Sequence, residues 1–201
     1  MNPGPSQPQP FTGAILTGGA STRMGRDKAT QVTVDGQPLA ARVASTLRAA
    51  GAAEVLAIGG DTAALTALGL DVRPDRHPGE GPLGGILTAF AAAAHPLVVV
   101  TACDLPQLRA EVIVALVAAA ATGGDVDAAV ACTPQREPLC AAWWAPRCHD
   151  HLQHAFSTGE RAVHRALAGL GVRDVPVPAA VLRNVNTAQD LLASDPPPAP
   201  D

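Results

Sequence analysis

The stretch AILTGGASTRMGRDKAT, residues 14–30, joins the end of a predicted strand to a glycine-rich turn and contains the only lysine of the chain. Every other long basic residue is an arginine. An ammonium group is a compact charge on a flexible stem, whereas a guanidinium is a wide planar fork. We therefore predict that position 28 needs an ammonium, because a guanidinium would be too wide for a crowded cluster of phosphates.

The glycines and cations of this stretch are arranged for an anionic ligand. Gly18 and Gly19 lack a Cβ, so the backbone can turn tightly and approach a ligand, and consecutive N–H groups would form an anion-binding nest. Arg23 and Lys28 would place two cations on one polyphosphate. The spacing matches neither GxxxxGK[ST] nor GxGxxG, and the alternative is a glycine-rich surface turn with incidental basic residues.

Outward from this stretch, apolar runs of strand length alternate with runs of helix length that are rich in alanine and leucine. The first strand candidates are FTGAIL, EVLAIGG, LDVRPD and LVVVTACD. Continuously apolar strands are typical of a sheet covered on both faces, and helical crossovers imply parallel pairing. DAAVACT and PLCAAWWA, separated by the turn PQRE, predict an antiparallel hairpin. The sequence thus predicts one three-layer, Rossmann-like α/β domain with a mostly parallel sheet and an antiparallel element.

Length and composition limit the remaining possibilities. The 201 residues suffice for one core, and we expect the domain to occupy residues 11–194, between disordered proline-rich tails at 1–10 and 195–201. The net charge of -4 argues against nucleic acid as a partner. The chain shows neither a membrane span nor a signal-peptide pattern, so a cytoplasmic location away from membranes is expected. The four cysteines lack CxxC spacing and are expected to be reduced core residues.

Two aspartates follow predicted strands, at the sheet edge where open α/β proteins bind ligands. Asp104 follows the most apolar strand, where a carboxylate is costly without a partner. An Mg²⁺ ion held by one or two carboxylates and by phosphate oxygens would be a suitable partner, and a helix N-cap is the alternative. Asp75 follows the third predicted strand, and taken alone it is equally typical of a turn residue.

Four stretches, in order, resemble a known family. LTGGASTRMGRDKA is similar to LAGGxSxRMGxDKA, the signature of nucleotidyltransferases and specifically of the molybdenum cofactor guanylyltransferase (MobA) family. PDRHPGEGPLGGI, VVVTACDLPQL and NVNTAQDL agree with that family in order and spacing, so the likeness covers residues 11–194. Thr17 departs from the family's usual alanine, and its hydroxyl either is harmless or shifts the base preference. NVNTAQDL also lacks the proline that usually follows the threonine.

The resemblance implies a nucleotidyltransferase that moves GMP from GTP to the terminal phosphate of molybdopterin and releases pyrophosphate. It assigns catalysis to Arg23, Lys28 and Asp104, with Mg²⁺ on Asp104. The implied nucleotide contacts are Leu16, Thr17, Gly18, Gly19, Lys28, Asp75 and Asp104, and the implied acceptor contacts are Asn184 and Asn186, with Arg136 and Arg161 as weaker candidates. Because aromatic residues are few, we expect backbone groups near residues 16–18 to recognise guanine. Molybdenum-insertion proteins and recipient molybdoenzymes are further candidate partners.

Two other functions remain open at this point. A sibling enzyme would transfer CMP to the same pterin, or a nucleotide to a sugar phosphate, but cytidylyl-transferring relatives tend to read LAAG where this chain has LTGG. A silent nucleotide- or pterin-binding module would be expected to lack Asp104 or Lys28, and both are present. His151 and His154 lie one helical turn apart, which is more typical of surface histidines than of a metal site.

Overall fold

A computed structural model of the chain describes residues 9–18, 28–33, 35–122, 124–185 and 190. Within these residues seven strands form one sheet. The strands are β1 Phe11–Leu16, β2 Glu54–Ile58, β3 Asp71–Arg73, β4 Leu97–Ala102, β5 Ala128–Cys132, β6 Arg136–Trp144 and β7 Val172–Pro176. The helices are α1 Leu39–Ala49, α2 Thr62–Ala67, α3 Pro82–Ala92, α4 Ala110–Ala121, α5 Ala145–Ser157 and α6 Val163–Ala166, with short 3-10 turns at Lys28–Thr30 and Ala179–Leu182. Both predicted tails fall almost wholly outside the described residues and stay predictions.

The strand order is β3-β2-β1-β4-β6-β5-β7. Strand β1 pairs in parallel with β2 and β4, and β3 pairs in parallel with β2, whereas β6 pairs antiparallel with both β4 and β5. The predicted mostly parallel sheet with an antiparallel element is therefore confirmed. Strand β7 then pairs in parallel with β5 and completes the sheet.

The hairpin between β5 and β6 is tighter than the sequence predicts. Arg136 and Glu137, expected in the turn, belong to β6 and pair with Cys132 and Ala131. An irregularity between Val130 and Ala131 shifts the register there, and this bulge lets the pairing continue almost to the turn. The prediction of the turn PQRE was wrong at its second half, because a bulge leaves no clear mark in a sequence.

Helices cover both faces of the sheet, as the apolar strands predicted. On one face α1, α2 and α4 pack against residues such as Ile15 and Val99, and on the other α3, α5 and α6 pack against Ala14 and Val100. A Cβ on Gly13 would lie 2.9 Å from Cδ1 of Leu47, so this glycine lets α1 approach β1 closely. Each fully buried aliphatic side chain in these layers contributes roughly 1.5–3 kcal/mol relative to exposure.

The connections of β1 locate the ligand edge of the sheet. Helix α1 connects β1 to β2, which lies on one side of β1 in the sheet. Helix α3 connects β3 to β4, which lies on the other side of β1. Helices α1 and α3 therefore lie on opposite faces, which opens a crevice at the carboxyl ends of β1 and β4. Leu16 is aligned with Ile58 of β2 and with Ala102 of β4, so the residues that follow these strands meet at this edge.

The cysteines agree with the expectation of reduced thiols. All four cysteines lie among the described residues and are reduced thiols; Cys103, Cys140 and Cys148 are buried and Cys132 is half-buried. Burial raises the pKa of the thiols of Cys140 and Cys148 to about 12.

None of the helices in the described part of the chain has the length and apolar character needed to cross a membrane.

Candidate active site

A cleft of about 380 Å³ opens at the carboxyl ends of β1, β2 and β4. Six of the residues that the sequence singled out line it, namely Leu16, Thr17, Gly18, Lys28, Asp75 and Asp104. They come from four separate segments of the chain, which the parallel strand order brings to one edge. Arg23, Gly19 and Asn186 lie outside the described residues, so their roles stay predictions.

An ion pair joins the two most strongly predicted residues of the cleft. The Nζ of Lys28 donates to Oδ2 of Asp104 at 2.7 Å, and the two side chains are only 17% and 18% exposed. Partial burial lowers the local dielectric and strengthens the attraction between the charges. The lysine that is unique in the sequence thus meets the aspartate that follows the most apolar strand.

The second oxygen of Asp104 has no partner among the residues that the structure describes. Oδ1 is buried and accepts no hydrogen bond from the described residues. A buried acceptor without a partner typically costs about 1–3 kcal/mol, and an unplaced ion is one of the ordinary explanations. Asp104 does not cap the next helix, since α4 begins at Ala110 with Arg109 at its N-cap. The orphaned oxygen fits a divalent cation.

The donors around Asp104 suit a metal that shares its ligands with a substrate. Among the described residues no group of three or more His, Cys, Asp or Glu side chains is placed to hold a metal ion. Mg²⁺ is commonly held by one or two carboxylates together with substrate phosphates and water. The site therefore fits a metal bound jointly by Asp104 and a nucleotide.

Glu137 is a neighbour of Asp104 that the sequence did not reveal. Burial raises the pKa of the Glu137 carboxyl, its hydrogen bond from the Leu139 N–H lowers it, and the charge of Asp104 raises it further. Leu139 lines the cleft two residues further along β6. The sequence placed Glu137 in a turn, and only the antiparallel pairing of β6 with β4 brings it to this edge.

Asp75 is oriented by helix α3. Its Oδ1 accepts hydrogen bonds from the hydroxyl of Thr88 at 2.9 Å and from the N–H of His77 at 3.0 Å. The contact with His77 is the local turn that the sequence allowed, yet Asp75 also lines the cleft. Asp75 is therefore both a turn residue and part of the cleft lining, its contact with a nucleotide stays a prediction, and Thr88 is a support that the sequence did not single out.

Thr17 and Gly18 bind the end of β2 instead of offering free donors. The N–H groups of both residues donate to the carbonyl of Ile58 at 3.0 Å, and the Thr17 hydroxyl lies 3.0 Å from the same oxygen and 2.9 Å from the carbonyl of Gly59. The predicted nest cannot use the Gly18 N–H, because strands β1 and β2 stay bonded beyond their last paired residues. A nest would have to begin after residue 18.

Gly59 packs behind two residues of the cleft, Gly18 and Asp75, and the sequence did not single it out. It has a φ of +74°, and a Cβ at this position would lie 3.2 Å from Cα of Gly18 and 3.3 Å from Cβ of Asp75. The backbone therefore needs glycine here for both its conformation and the close approach.

The GPLGG segment begins helix α3 and also lines the cleft. Gly81 caps α3 with a φ of 85°, and Pro82 occupies the first turn. A Cβ on Gly84 would lie 2.6 Å from Cβ of His77, so this glycine lets the β3–α3 loop pack onto the helix. Gly81, Pro82 and Gly85 also line the cleft, beside Leu16.

Arg161 stands beside the entry to α3. It pairs with Glu80 at 2.6 Å, next to Gly81, and its guanidinium lies 3.9 Å from the centre of the Phe156 ring. Arg136, the other arginine considered for the acceptor, pairs with Asp174 at 2.5 Å and is exposed.

Asn184 lies next to a residue that binds the backbone of Asp104. Asn184 is exposed, and the next residue, Val185, donates its N–H to the carbonyl of Asp104 at 3.0 Å. The NVN motif therefore begins beside the aspartate.

His151 contacts the carbonyl of Ala166 through Nε2 at 3.0 Å, which links α5 to α6 and agrees with a structural role.

Comparisons with known proteins agree with this fold. Residues 13–175 match the model of the MobA-like NTP transferase domain. A molybdenum cofactor guanylyltransferase of Rhodobacter capsulatus is 35% identical over 193 residues, which are 92% of this chain and 95% of that protein. A probable molybdenum cofactor guanylyltransferase of Carboxydothermus hydrogenoformans is 42% identical over 104 residues, which are 52% of this chain and 51% of that protein. Among solved structures, molybdopterin-guanine dinucleotide biosynthesis protein A of Archaeoglobus fulgidus has a TM-score of 0.73 at 26% identity, over 90% of this chain and 94% of that one.

Proposed function

Since this chain belongs to the family of MobA-like NTP transferases, it is a nucleotidyltransferase, and we propose that it transfers GMP from GTP to the terminal phosphate of molybdopterin. The products are the guanine dinucleotide form of the cofactor and pyrophosphate. The observation that carries this proposal is the partly buried pair of Lys28 and Asp104 at the crevice between β1 and β4, with one oxygen of Asp104 that accepts no hydrogen bond from the described part of the chain.

The chemistry needs positioning and charge neutralisation more than proton transfer. An oxygen of the acceptor phosphate attacks the α-phosphorus of GTP, a new P–O–P bond forms, and the bond to the β-phosphate breaks as pyrophosphate leaves. The nucleophile is already an anion, so the reaction requires no general base. Charged groups held in place before the reaction supply most of the rate enhancement in such transfers.

The roles of the cleft residues follow from their charges. Lys28 would contact the phosphates of the nucleotide, and Arg23 is proposed to add a second cation on the departing pyrophosphate. Asp104 would hold Mg²⁺, which, when bound, supplies charge neutralisation for the phosphate oxygens. Asp75, fixed by Thr88 and His77, is proposed to contact the nucleoside.

The choice of substrates rests on the relatives and on the placement of two motifs. The Rhodobacter capsulatus and Carboxydothermus hydrogenoformans proteins carry guanylyltransferase in their names, which supports GTP as donor and the molybdenum cofactor as acceptor. Asn184 and Asn186 are proposed to bind the acceptor, and the hydrogen bond from Val185 to Asp104 supports a place beside the reacting phosphates. A cytoplasmic location and contacts with molybdenum-insertion proteins or molybdoenzymes belong to the same proposal.

Pyrophosphate release by the purified protein tests the proposal. The reaction contains molybdopterin, Mg²⁺ and either GTP, CTP or ATP, and it is repeated with Asp104→Asn and with Asp174→Asn. Asp174 is a matched control, because it is an exposed carboxylate paired with an arginine and it is not among the residues that line the cleft. We expect release with GTP, a loss of about 10²–10³-fold in Asp104→Asn, and no change in Asp174→Asn.

Other outcomes would select a different function. A preference for CTP would identify a cytidylyltransferase of the same pterin, and release with a sugar phosphate in place of molybdopterin would identify a sugar-phosphate nucleotidyltransferase. Tight binding of GTP without pyrophosphate release would favour a non-catalytic nucleotide-binding module.

A further inference from the structure

We infer that Lys28 is the internal counter-ion of Asp104 and must leave it when nucleotide and metal enter, so that a divalent ion alone is kept out of the site. The inference rests on the proposed use of Asp104 as a metal ligand. It adds a second role for Lys28, in the order of binding, to its proposed contact with phosphate.

Asp104 presents one oxygen to Lys28 and leaves the other for a different partner. Oδ2 accepts from Nζ at 2.7 Å, whereas the buried Oδ1 has no hydrogen bond from the described residues. Both oxygens belong to one carboxylate, so a divalent ion on Oδ1 would lie next to the ammonium on Oδ2. Like charges repel strongly at such a separation in a partly buried site. The ammonium therefore weakens the binding of a free metal ion.

A nucleotide changes this balance because it offers Lys28 another anion. The lysine stands at the first residue of a short 3-10 turn, on a flexible four-carbon stem. Phosphate oxygens that enter the cleft can take the ammonium, and Asp104 then has both oxygens available for the metal that accompanies the nucleotide. By linkage, a nucleotide that draws Lys28 from Asp104 raises the affinity for the metal by the same factor as the metal raises the affinity for the nucleotide.

The same geometry gives a reason for lysine instead of arginine at this position. A guanidinium pairs with a carboxylate through two parallel hydrogen bonds, so an arginine could occupy both oxygens of Asp104 and would be slower to release them. An ammonium makes a single point contact and leaves Oδ1 open. This reason is separate from the width of the guanidinium, and it predicts that an arginine in Lys28→Arg keeps hold of both oxygens of Asp104.

Binding of Mn²⁺ without nucleotide tests the inference, with electron paramagnetic resonance of the free ion as the readout. The proteins are the wild type, Lys28→Met, Lys28→Gln, Lys28→Arg and Arg165→Met. Arg165 is the matched control, because it also pairs with a single carboxylate, Glu160, at 2.6 Å, but the Arg165 side chain itself is exposed. When Arg165 is replaced, the carboxylate of Glu160 remains, and this carboxylate has no buried oxygen that lacks a partner among the described residues.

We expect the two neutral variants to bind Mn²⁺ about tenfold or more tightly than the wild type, within the ~5–150-fold range of typical couplings between sites. Lys28→Arg should bind no better than the wild type, and Arg165→Met should equal it. Adding Asp104→Asn to Lys28→Met should abolish the gain. If both neutral variants fold, as circular dichroism reports, and bind Mn²⁺ no more tightly than the wild type, Lys28 does not exclude the metal and the inference fails.

The test separates this inference from the proposed function. Mn²⁺ binding needs neither molybdopterin nor turnover, so a gain in affinity in an enzyme that does not use GTP would uphold the inference and reject the guanylyl reaction. Conversely, GTP-dependent pyrophosphate release with unchanged Mn²⁺ affinity in Lys28→Met would uphold the function and reject the role of Lys28 as a counter-ion.

Discussion

At the residue scale, Thr17 shows how a departure from a family signature can be absorbed by the fold. Its hydroxyl lies at 3.0 and 2.9 Å from the carbonyls of Ile58 and Gly59, and the residue is 4% exposed. A hydroxyl has one proton, which is directed to the end of β2. We therefore expect the substitution to tie β1 to β2 without changing the base that the enzyme selects.

Thr17→Ala, which restores the usual residue of the family, tests this interpretation. We expect the ratio of GTP to CTP turnover to stay unchanged and the free energy of unfolding to fall by about 1 kcal/mol, the typical worth of a hydrogen bond. Steady-state kinetics and urea denaturation measure the two quantities, and Thr17→Ser, which keeps the hydroxyl, is the control. A tenfold change in the GTP to CTP ratio would contradict the assignment.

Glu137 provides a prediction of pH dependence at the same scale. Burial, and after it the charge of Asp104, raises the pKa of its carboxyl from the ordinary 4.5. Below that value the carboxyl is protonated in both the folded and the unfolded protein, so it does not affect stability. As the pH rises, the unfolded chain releases its proton first, and the folded state loses stability until the pH exceeds the raised pKa.

Glu137→Gln should remove this loss. The variant should equal the wild type in stability near pH 4 and exceed it by a growing margin toward neutral pH, measured by thermal unfolding without metal or nucleotide. Asp174→Asn, an exposed carboxylate paired with Arg136, is the comparison. A margin that shrinks as the pH rises would show that the folded protein holds Glu137 in its charged form.

At the element scale, helix α3 positions the cleft through two adjacent glycines with different neighbours. A Cβ on Gly84 would lie 2.6 Å from Cβ of His77, an atom fixed to the backbone, whereas a Cβ on Gly85 would lie 3.1 Å from Cδ2 of Leu16, the end of a flexible side chain. His77 donates its N–H to Asp75. A displacement of the loop by a side chain at position 84 would therefore reach Asp75 in the cleft.

Gly84→Ala should destabilise the protein by about 1–3 kcal/mol, the usual range for overpacking, and should raise the KM for GTP. Gly85→Ala is the matched control in the same helix, where the gain in helix propensity of up to about 1 kcal/mol offsets a small adjustment of Leu16. Chemical denaturation and KM measurements compare the two. Equal effects of both substitutions would show that the contact with His77 does not limit the packing of α3.

In the molecule as a whole, the reactivity of the buried thiols measures whether the two helical layers are still packed on the sheet. Cys140 faces the α1, α2 and α4 layer and Cys148 lies in α5 of the other layer, and burial raises the pKa of each to about 12. The thiolate is the reactive form, so neither should react at pH 8 in the folded protein. Half-buried Cys132 should react first.

Thiol labelling across a urea titration tests this picture in a variant that keeps Cys140 and Cys148 and carries Cys103→Ser and Cys132→Ser. We expect labelling of the two thiols to follow global unfolding measured by circular dichroism, because each lies in a layer that the sheet holds together. A variant that keeps Cys132 alone is the control and should react before unfolding. Reaction of Cys148 well below the unfolding midpoint would show that α5 opens independently of the sheet.

The local chemistry of the sequence is enough to predict the order of strands and helices, the buried strand β4, the antiparallel hairpin and six of the residues that line the cleft. These features follow from local chemistry: apolar runs, glycines and charges placed directly after strands. Only the tertiary structure decided which groups are already engaged. The bonding of Thr17 and Gly18 to Ile58 and the place of Glu137 beside Asp104 depend on residues far apart in the chain. The oxygen of Asp104 that has no hydrogen bond from the described residues is likewise a feature of the folded chain alone. Such pairings are set by strand register and by layer packing, which short-range patterns do not encode.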